Sequence, residues 1–273
     1  MLRFWHIIHN LCTMDILTII SNALQSVDTL EKLHNSGVIH KIPFYINKYF
    51  KKTIHILIVG ESGSGKSQFL ATIQGRKSFA HTRTRVTEKS KVVLPNGYCV
   101  RFYDTPGHQI LKSERLKALN ALNRRKYDGI VNIVCYGHQS VDNVEVSTIF
   151  HGDVVREDYL NANKKKELKQ VEEWLERIDG DSGVKWLLTI VNKADVWFEK
   201  SDEVLSYYRE GLYSQSLASL QRFVKLDVIP YCSVITPFCD KPMRLVMGEK
   251  EKHALHLNFC NSISKLSEVE WPE

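Results

Sequence analysis

The stretch Gly60–Ser67, with the sequence GESGSGKS, decides the fold of this 273-residue chain. It is a full match to the phosphate-binding pattern G-x-x-x-x-G-K-[ST]. The preceding run, Ile54–Val59, is apolar and β-branched, as a buried strand should be, and Gln68–Gln74 has the character of the start of a helix. Strand, glycine loop and helix in this order predict a cradle of backbone N–H groups around an anionic phosphate, reinforced by the helix dipole.

Two side chains of this loop suit a nucleotide and its metal ion. Lys66 is placed to reach the β- and γ-phosphates, and the hydroxyl of Ser67 is placed to ligate Mg²⁺. A chance match in an unrelated loop is the alternative, and the flanking strand and helix argue against it. The pattern therefore predicts a nucleoside triphosphate site, but it does not specify the base.

The bulk composition sets wide limits. Apolar residues form 43% of the chain, enough for one large domain or for one domain with appendages. The net charge of +6 suits a nucleotide-binding protein and does not by itself indicate nucleic acid. No two cysteines have C-x-x-C spacing, which favours reduced core thiols over a disulfide framework or a zinc site. The cysteines are Cys12, Cys99, Cys135, Cys232, Cys239 and Cys260.

Residues 1–50 carry a long apolar stripe. Apolar side chains recur at gaps of three and four from Phe4 to Leu33, which predicts an amphipathic helical extension. We expect it to pack on the nucleotide domain or on a second copy of itself rather than on a membrane, because its polar face is not markedly basic. Phe4–Leu24 is interrupted by polar residues and lacks a signal-peptide layout, so we expect a cytoplasmic protein.

From Ile54 onward, strand-like and helix-like stretches alternate. This predicts an α/β fold for residues 51–273, with a mostly parallel sheet and helices on both faces. Residues 137–163 are long and polar, which predicts a functional insertion. The other expected strands are a hairpin of Lys91–Leu94 and Tyr98–Tyr103, then Gly129–Tyr136, Lys185–Val191 and Val228–Cys232. The other expected helices are Ser113–Lys126, Lys164–Ile178, Ser201 to about Val224, and a closing helix at Glu249–Leu266.

Two further short motifs each follow a predicted strand. The first, DTPG at 104–107, places a carboxylate where Mg²⁺ needs an acidic partner, and Gly107 allows a backbone N–H to approach a γ-phosphate. The second is NKAD at 192–195. Asp195 can accept hydrogen bonds from N1–H and the N2 amino group of guanine, a donor pair that adenine lacks, and the stem of Lys193 can cover the base. The order of the three motifs predicts a guanine nucleotide site.

Together the three motifs resemble the G-motifs of the translation-factor-related (TRAFAC) class of P-loop GTPases. The resemblance covers roughly residues 53–235 and implies a Ras-like G domain that binds GTP with Mg²⁺ and changes conformation on hydrolysis. Within the class, the phosphate loop resembles those of septin-like and immunity-associated GTPases. Gly63 stands where potassium-stimulated GTPases carry an asparagine, so their mechanism is not expected. Ser233 loosely matches the loop that contacts guanine from its other side, since the usual Ser-Ala is here Ser-Val.

The resemblance assigns roles residue by residue. His108 follows DTPG and matches the histidine that positions the attacking water in translational GTPases; a merely polar residue in a mobile switch is the alternative. With Lys66 and Thr84 it forms the candidate catalytic set, and Ser67, Thr84 and Asp104 form the candidate Mg²⁺ set. The expected nucleotide-binding residues are Gly60, Glu61, Ser62, Gly63, Ser64, Gly65, Lys66, Ser67, Gln68, Asp104, Gly107, Asn192, Lys193, Asp195, Ser233 and Val234.

The first switch needs a threonine that meets Mg²⁺ and the γ-phosphate. Thr82, Thr84 and Thr87 are all within reach along the chain, with Thr84 preferred and Thr87 next. Arg83 or Arg85 could act as an arginine finger, although surface arginines in a flexible loop are the reading we favour. One such arginine is worth about 10³–10⁵ in rate, so we expect slow intrinsic turnover that depends on a partner or on self-association.

Three functions remain open at this point. The leading one is a GTP-hydrolysing switch whose segments 77–89 and 105–112 are ordered by GTP. The second is a GTP-dependent assembly module with little catalysis, favoured by the septin-like loop and the apolar stripe. The third is an RNA- or ribosome-associated GTPase, which basic residues at 124–126 and 164–166 permit, although no RNA-binding module follows. We expect GTP and GDP as ligands and a protein partner or self-association through the switches or the N-terminal helix, and we expect neither nucleic acid nor a membrane.

Overall fold

The structure is a computed structural model of the chain. The residues it describes are 53–76, 88–93, 99–105, 113, 127–140, 144–176, 178, 183–240 and 246–267. The N-terminal extension expected at 1–50, the hairpin turn at 95–97 and nearly all of the helix expected at 113–126 lie outside this part of the chain.

The centre of the structure is a six-stranded sheet. Its strands and those of a small two-stranded ribbon, in chain order, are β1 (Ile54–Val59), β2 (Glu88–Val93), β3 (Cys99–Asp104), β4 (Gly129–Val134), β5 (Phe150–His151), β6 (Val154–Val155), β7 (Trp186–Val191) and β8 (Lys225–Pro230). The large sheet has the order β2-β3-β1-β4-β7-β8, and β5 pairs with β6. Only β2, at one edge, runs antiparallel to its neighbour; the other pairings are parallel. The carboxyl ends of five strands therefore meet at one edge of the sheet.

Helices cover both faces of this sheet. They are α1 (Lys66–Ile73), α2 (Val146–Ile149), α3 (Glu157–Leu175), α4 (Ala194–Trp197), α5 (Ser201–Glu210), α6 (Leu212–Ser216) and α7 (Glu249–Ser267). Single-turn 3₁₀ segments lie at Phe198–Lys200, Leu220–Arg222 and Phe238–Asp240. Among the described helices, none combines the length and the apolar character needed to cross a bilayer.

Alternation along the strands explains the two layers. In β1, Leu57 and Val59 pack into one hydrophobic cluster, whereas Ile56 and Ile58 pack into another. Successive side chains of a strand point to opposite faces, so a strand that is apolar throughout supplies two cores. The first cluster includes side chains of α3 and α5, and the second includes side chains of α1 and α7. The predicted α/β fold with a mostly parallel sheet and helices on both faces is confirmed.

Several predicted elements lie where the sequence placed them. The hairpin is the antiparallel pair β2 and β3, with Glu88 opposite Asp104 and Val93 opposite Cys99. The closing helix spans Glu249–Ser267 and buries Phe259, Ile263 and Leu266, all expected on its apolar side. Among the described cysteines, none forms a disulfide, and Cys135 and Cys232 are buried as core residues. No three metal-ligating side chains cluster within the described ranges.

The region between β4 and β7 differs from the prediction. The helix expected to begin at Lys164 begins at Glu157, and part of the stretch expected to be irregular forms α2 and the β5–β6 ribbon. The reason is that the buried face of α3 is largely polar. Its buried residues are Leu160, Asn163, Glu167, Gln170, Val171 and Trp174. They have helical spacing, but the early ones include few apolar residues, so hydrophobic periodicity did not detect the first two turns.

The prediction of one long helix from Ser201 to about Val224 is also wrong. It divides into α5 and α6 at Gly211, which has an extended backbone with φ −84° and ψ −165°. A Cβ on Gly211 would lie 2.5 Å from the carbonyl oxygen of Tyr207, so the helix is interrupted where a side chain would collide with the backbone. The last strand begins at Lys225, three residues before the expected start, and ends at Pro230, two residues before the expected end.

Candidate nucleotide-binding site

The phosphate loop connects β1 to α1 and packs tightly on two other segments. Gly63 and Gly65 have φ values of +75° and +92°, a conformation that side chains rarely adopt. A Cβ on Gly63 would lie 2.3 Å from the carbonyl oxygen of Ser140, and a Cβ on Gly65 would lie 2.4 Å from Nδ2 of Asn192. The two glycines thus allow close approach of the loops that follow β4 and β7.

Lys66 begins α1 and turns back over its own loop. Its side chain is buried, and Nζ donates hydrogen bonds to the carbonyl oxygens of Gly60 at 2.7 Å and Glu61 at 3.1 Å. Glu61 is buried as well, and its carboxylate accepts a hydrogen bond from the backbone N–H of Ser62 at 2.9 Å. The loop therefore concentrates one ammonium group and a set of backbone amides at the carboxyl edge of the sheet, an arrangement that suits a polyphosphate.

Oxygen donors for a divalent cation lie beside this loop. Asp104 ends β3, is 2% exposed, and lies opposite Ile58 of β1 in the parallel register. Ser67 is in the first turn of α1 with an exposed side chain. A carboxylate and a hydroxyl are the ligand types that Mg²⁺ takes in phosphate sites, so the residues present fit this ion. Thr84, the third expected ligand, lies outside the described residues.

Asn192 connects three segments of the candidate site. Its Nδ2 donates to the carbonyl oxygen of Ser64 in the phosphate loop at 3.0 Å. Its Oδ1 accepts from the backbone N–H of Ser233 at 3.2 Å and from the Ser233 hydroxyl at 3.0 Å. Asn192 is 1% exposed, and every one of these bonds is buried. The amide thus fixes the NKAD motif against the phosphate loop and against the loop after β8.

Asp195 lies one turn further, at the start of α4. It is 3% exposed. Its Oδ2 accepts a hydrogen bond from the backbone N–H of Thr236 at 3.2 Å, and its Oδ1 accepts a weak one from the Cys232 thiol at 3.6 Å. Burial raises the pKa of Asp195, and these two donors partly oppose the shift. A pre-positioned carboxylate of this kind can accept hydrogen bonds from a planar donor pair.

Lys193 lies between the phosphate loop and the segment after β4. Its backbone is left-handed, with φ +61°, at the residue before α4. Nζ donates to the carbonyl oxygen of His138 at 2.6 Å and to the Ser140 hydroxyl at 2.7 Å, and it lies 5.3 Å from the centre of the Phe238 ring. Burial lowers the pKa of Lys193. The ammonium group of Lys193 is therefore held in one position by the segment after β4.

The structure brings most of the predicted site residues to one edge of the sheet. The expected residues found there are Gly60, Glu61, Ser62, Gly63, Ser64, Gly65, Lys66, Ser67, Gln68, Asp104, Asn192, Lys193, Asp195, Ser233 and Val234. Those outside the described part of the chain are Thr82, Arg83, Thr84, Arg85, Thr87, Gly107 and His108. Their roles stay predictions.

Sequence reasoning missed three residues of this region, namely His138, Ser140 and Phe238. A signal existed for the first two, because they follow a buried parallel strand and such positions meet at the same edge as the phosphate loop. Phe238 carries no comparable signal. It is 3% exposed and packs edge to face on His138, with ring centres 5.5 Å apart.

The sheet order, the glycine loop and the NKAD motif define a P-loop GTPase domain of the translation-factor-related class. Residues 55–193, just over half of the chain, match the family described as 50S ribosome-binding GTPase. The chain therefore belongs to this family. Among curated proteins, no sequence matches the chain.

The chain is also similar to solved structures at low sequence identity. A bacterial selenocysteine-specific elongation factor is 13% identical with a TM-score of 0.43; the match covers 80% of this chain and 29% of that one. Elongation factor SelB from Methanococcus maripaludis, with the GTP analogue GppNHp, is 14% identical with a TM-score of 0.46, covering 81% and 35%. The signal recognition particle receptor SRb-GTP/SRX complex from Chaetomium thermophilum is 12% identical with a TM-score of 0.45, covering 77% and 98%. The chain thus spans about a third of the two elongation factors.

Proposed function

We propose that the protein is a guanine-nucleotide switch that hydrolyses GTP to GDP and phosphate with Mg²⁺. The observation that carries this proposal is the triple contact of Asn192. It joins the phosphate loop at Ser64 to the loop at Ser233. Asp195, three residues further along the chain, accepts hydrogen bonds from Cys232 and Thr236 on either side of Ser233. A base and a polyphosphate attached to one ribose would need their two subsites held together in this way.

Base selection would depend on Asp195. The carboxylate would accept hydrogen bonds from N1–H and the N2 amino group of guanine. Adenine offers no such pair, so binding it would leave a buried carboxylate without those partners, at a cost of about 10²-fold or more in affinity. The stem of Lys193 would cover one side of the base, and Ser233 with Val234 would contact it from the other.

Phosphate binding would use the loop and α1. Lys66 would exchange its contacts with the carbonyl oxygens of Gly60 and Glu61 for contacts with the β- and γ-phosphates. Ser67, Asp104 and Thr84 would hold Mg²⁺, which neutralises charge on the phosphate oxygens when bound. Asp104 would act through water, since it lies at the end of a neighbouring strand rather than in the loop itself.

Hydrolysis would need a positioned water, and His108 is our candidate to position it. Since arginine fingers accelerate GTP hydrolysis by about 10³–10⁵, a protein in which Arg83 and Arg85 are ordinary surface residues would turn over slowly by itself. Loss of the γ-phosphate would release segments 77–89 and 105–112, which is the switch. A protein partner or self-association would then supply acceleration.

Two measurements test this proposal. The first is a titration of the wild-type protein with GTP, GDP and ATP in Mg²⁺, for which we expect tight binding of both guanine nucleotides and none of ATP at the same concentrations. The second is single-turnover phosphate release at high protein concentration, with EDTA and His108→Ala as comparisons. Release that stops in EDTA and slows by about 10²-fold or more in the variant supports the proposal. Guanine binding without any release would instead favour a GTP-dependent assembly module.

A second candidate function is association with the large ribosomal subunit. It rests on the description of the matched family and on the exposed Lys165 and Lys166 of α3. Cosedimentation with isolated 50S subunits tests it, with a non-hydrolysable GTP analogue compared with GDP. Binding that depends on the analogue would support this function. An equal amount of the protein in the pellet when subunits are left out would count against it.

A further inference from the structure

The segment Cys135–Ser140, here called the β4 loop, contacts the candidate nucleotide site at three points. The backbone N–H of Ser140 donates to the carbonyl oxygen of Gly63 at 3.2 Å. Lys193 donates to the Ser140 hydroxyl and to the carbonyl oxygen of His138. Because a Cβ on Gly63 would collide with the Ser140 carbonyl, the two backbones are already at their closest approach. The position of the β4 loop therefore affects both the phosphate loop and Lys193.

One face of α3 holds the β4 loop in place. Tyr159, Asn163 and Glu167 are spaced by four residues, so they lie on the same side of the helix. The Tyr159 hydroxyl donates to the carbonyl oxygen of Gln139 at 2.5 Å, and Nδ2 of Asn163 donates to that of Gly137 at 3.1 Å. We call these three residues the α3 brace. Their contacts run along the loop in the direction opposite to the helix.

Glu167 makes the densest set of these contacts. Its Oε1 accepts hydrogen bonds from the backbone N–H of Cys135 at 2.9 Å and from Nε2 of Gln139 at 2.7 Å. Its Oε2 accepts from the Tyr208 hydroxyl of α5 at 2.6 Å, and the Tyr208 oxygen in turn accepts from the backbone N–H of Tyr136 at 2.8 Å. Two successive amides at the end of β4 thus reach one buried carboxylate, one directly and one through the phenol.

We infer that Glu167 and Tyr208 are positioning residues for nucleotide binding, which act through the β4 loop on Lys193 and Gly63. The inference rests on the proposed guanine-nucleotide site. A purely structural network would stabilise the fold and leave affinity unchanged. A positioning role has a different signature, because in the proposed site Lys193 would cover the base and Gly63 belongs to the loop that would hold the phosphates common to GTP and GDP. Loss of the network should weaken both nucleotides equally and leave the hydrolysis rate at saturating GTP unchanged.

Tyr208→Phe tests the inference, with Tyr213→Phe as the matched control. Both tyrosines are 1% exposed, and their ring centres lie 4.9 Å apart. Both hydroxyls form buried hydrogen bonds, but that of Tyr213 contacts Asn132 at 2.6 Å and Thr189 at 2.9 Å, within the sheet. We expect the two variants to lose similar stability in urea unfolding. Only Tyr208→Phe should weaken GDP and GTP binding, by about fivefold to tenfold.

The outcomes are distinguishable. Wild-type protein that binds no guanine nucleotide would refute the proposed function itself. Wild-type protein that binds GTP, with equal affinities in the two phenylalanine variants, would refute only the positioning role. Should Tyr208→Phe fail to fold, Tyr159→Phe removes a different bond to the β4 loop from a half-buried position, and it should weaken both nucleotides by about twofold to fivefold. Unchanged binding in that folded variant would also overturn the inference.

Discussion

The two faces of the sheet are built from different chemistry. On the face covered by α1 and α7, Phe69, Tyr231 and Phe259 meet edge to face, with ring centres 5.1 to 5.8 Å apart. On the face covered by α3 and α5, buried hydroxyls and one buried carboxylate form hydrogen bonds at Glu167, Tyr208 and Tyr213. Both faces have a large apolar core. The buried polar groups on the second face are therefore not there because that face lacks apolar residues.

The comparison shows which interactions fix the positions of individual groups near the candidate site. Apolar packing stabilises the fold but does not direct particular atoms, whereas hydrogen bonds fix the positions of individual groups. The apolar face is connected to the phosphate loop by α1, whose Phe69, Leu70 and Ile73 pack in that cluster. The polar face reaches backbone groups at the end of β4, next to the candidate site. We therefore expect changes on the first face to alter stability alone and changes on the second to alter pH dependence and binding as well.

The largest expected effect is on the apolar face. Phe259→Ala should lower the free energy of unfolding by about 3–5 kcal/mol, because the ring is fully buried among other aromatic rings. Leu257→Ala on the same helix is the control; its side chain is 42% exposed, and a change within about 0.5 kcal/mol is expected. Urea denaturation measures both. Similar losses in the two variants would contradict the account of this face.

The next effect is the pH dependence of the polar face. Burial lowers the pKa of His138 to about 3, with Lys193 nearby acting in the same direction, whereas the unfolded chain takes up the proton near pH 6.5. The buried neutral ring of His138 therefore makes its full contribution to folding stability above pH 6.5. The free energy of unfolding falls as the pH drops towards 3. Between pH 7 and pH 4 this group should cost about 3 kcal/mol.

Urea denaturation at several pH values measures this dependence. His138→Gln should show a flatter pH profile than the wild type. Parallel profiles for the wild type and His138→Gln would show that the ring is not held neutral by burial.

The smallest expected effect distinguishes Lys164 from its neighbour Lys165 in α3. Nζ of Lys164 lies 4.2 Å from the centre of the Tyr136 ring at the end of β4, whereas Lys165 is exposed. Lys164→Met should cost about 0.5 kcal/mol in unfolding free energy, and Lys165→Met should cost nothing measurable. Equal effects would indicate that Lys164 gains no stability from its contact with the Tyr136 ring.

The sequence predicted the motifs of the candidate site better than it predicted the buried polar residues of α3. The phosphate loop, Asp104 and NKAD were recognisable because their chemistry needs particular residues at fixed spacing after a strand. The first turns of α3 were not, since Asn163 and Glu167 are buried polar residues whose partners are 26 to 41 residues away in the chain. Hydrophobic periodicity carries no information about such partners. The break at Gly211 was missed for a different reason, because a single glycine inside a helical pattern does not by itself show whether the helix ends there.

The central claim is that Asp195 selects guanine in a site that Asn192 ties to the phosphate loop. The most direct test is the affinity of Asp195→Asn for GTP and for xanthosine triphosphate, with Asp227→Asn, a half-buried β8 residue bonded to the backbone N–H of Val228, as the control. Xanthine has a carbonyl oxygen where guanine has its amino group, so an asparagine amide can donate to it. We predict that GTP affinity falls by about 10²-fold and that the variant prefers xanthosine triphosphate, while the control keeps wild-type GTP affinity. Wild-type GTP affinity in Asp195→Asn would contradict the claim.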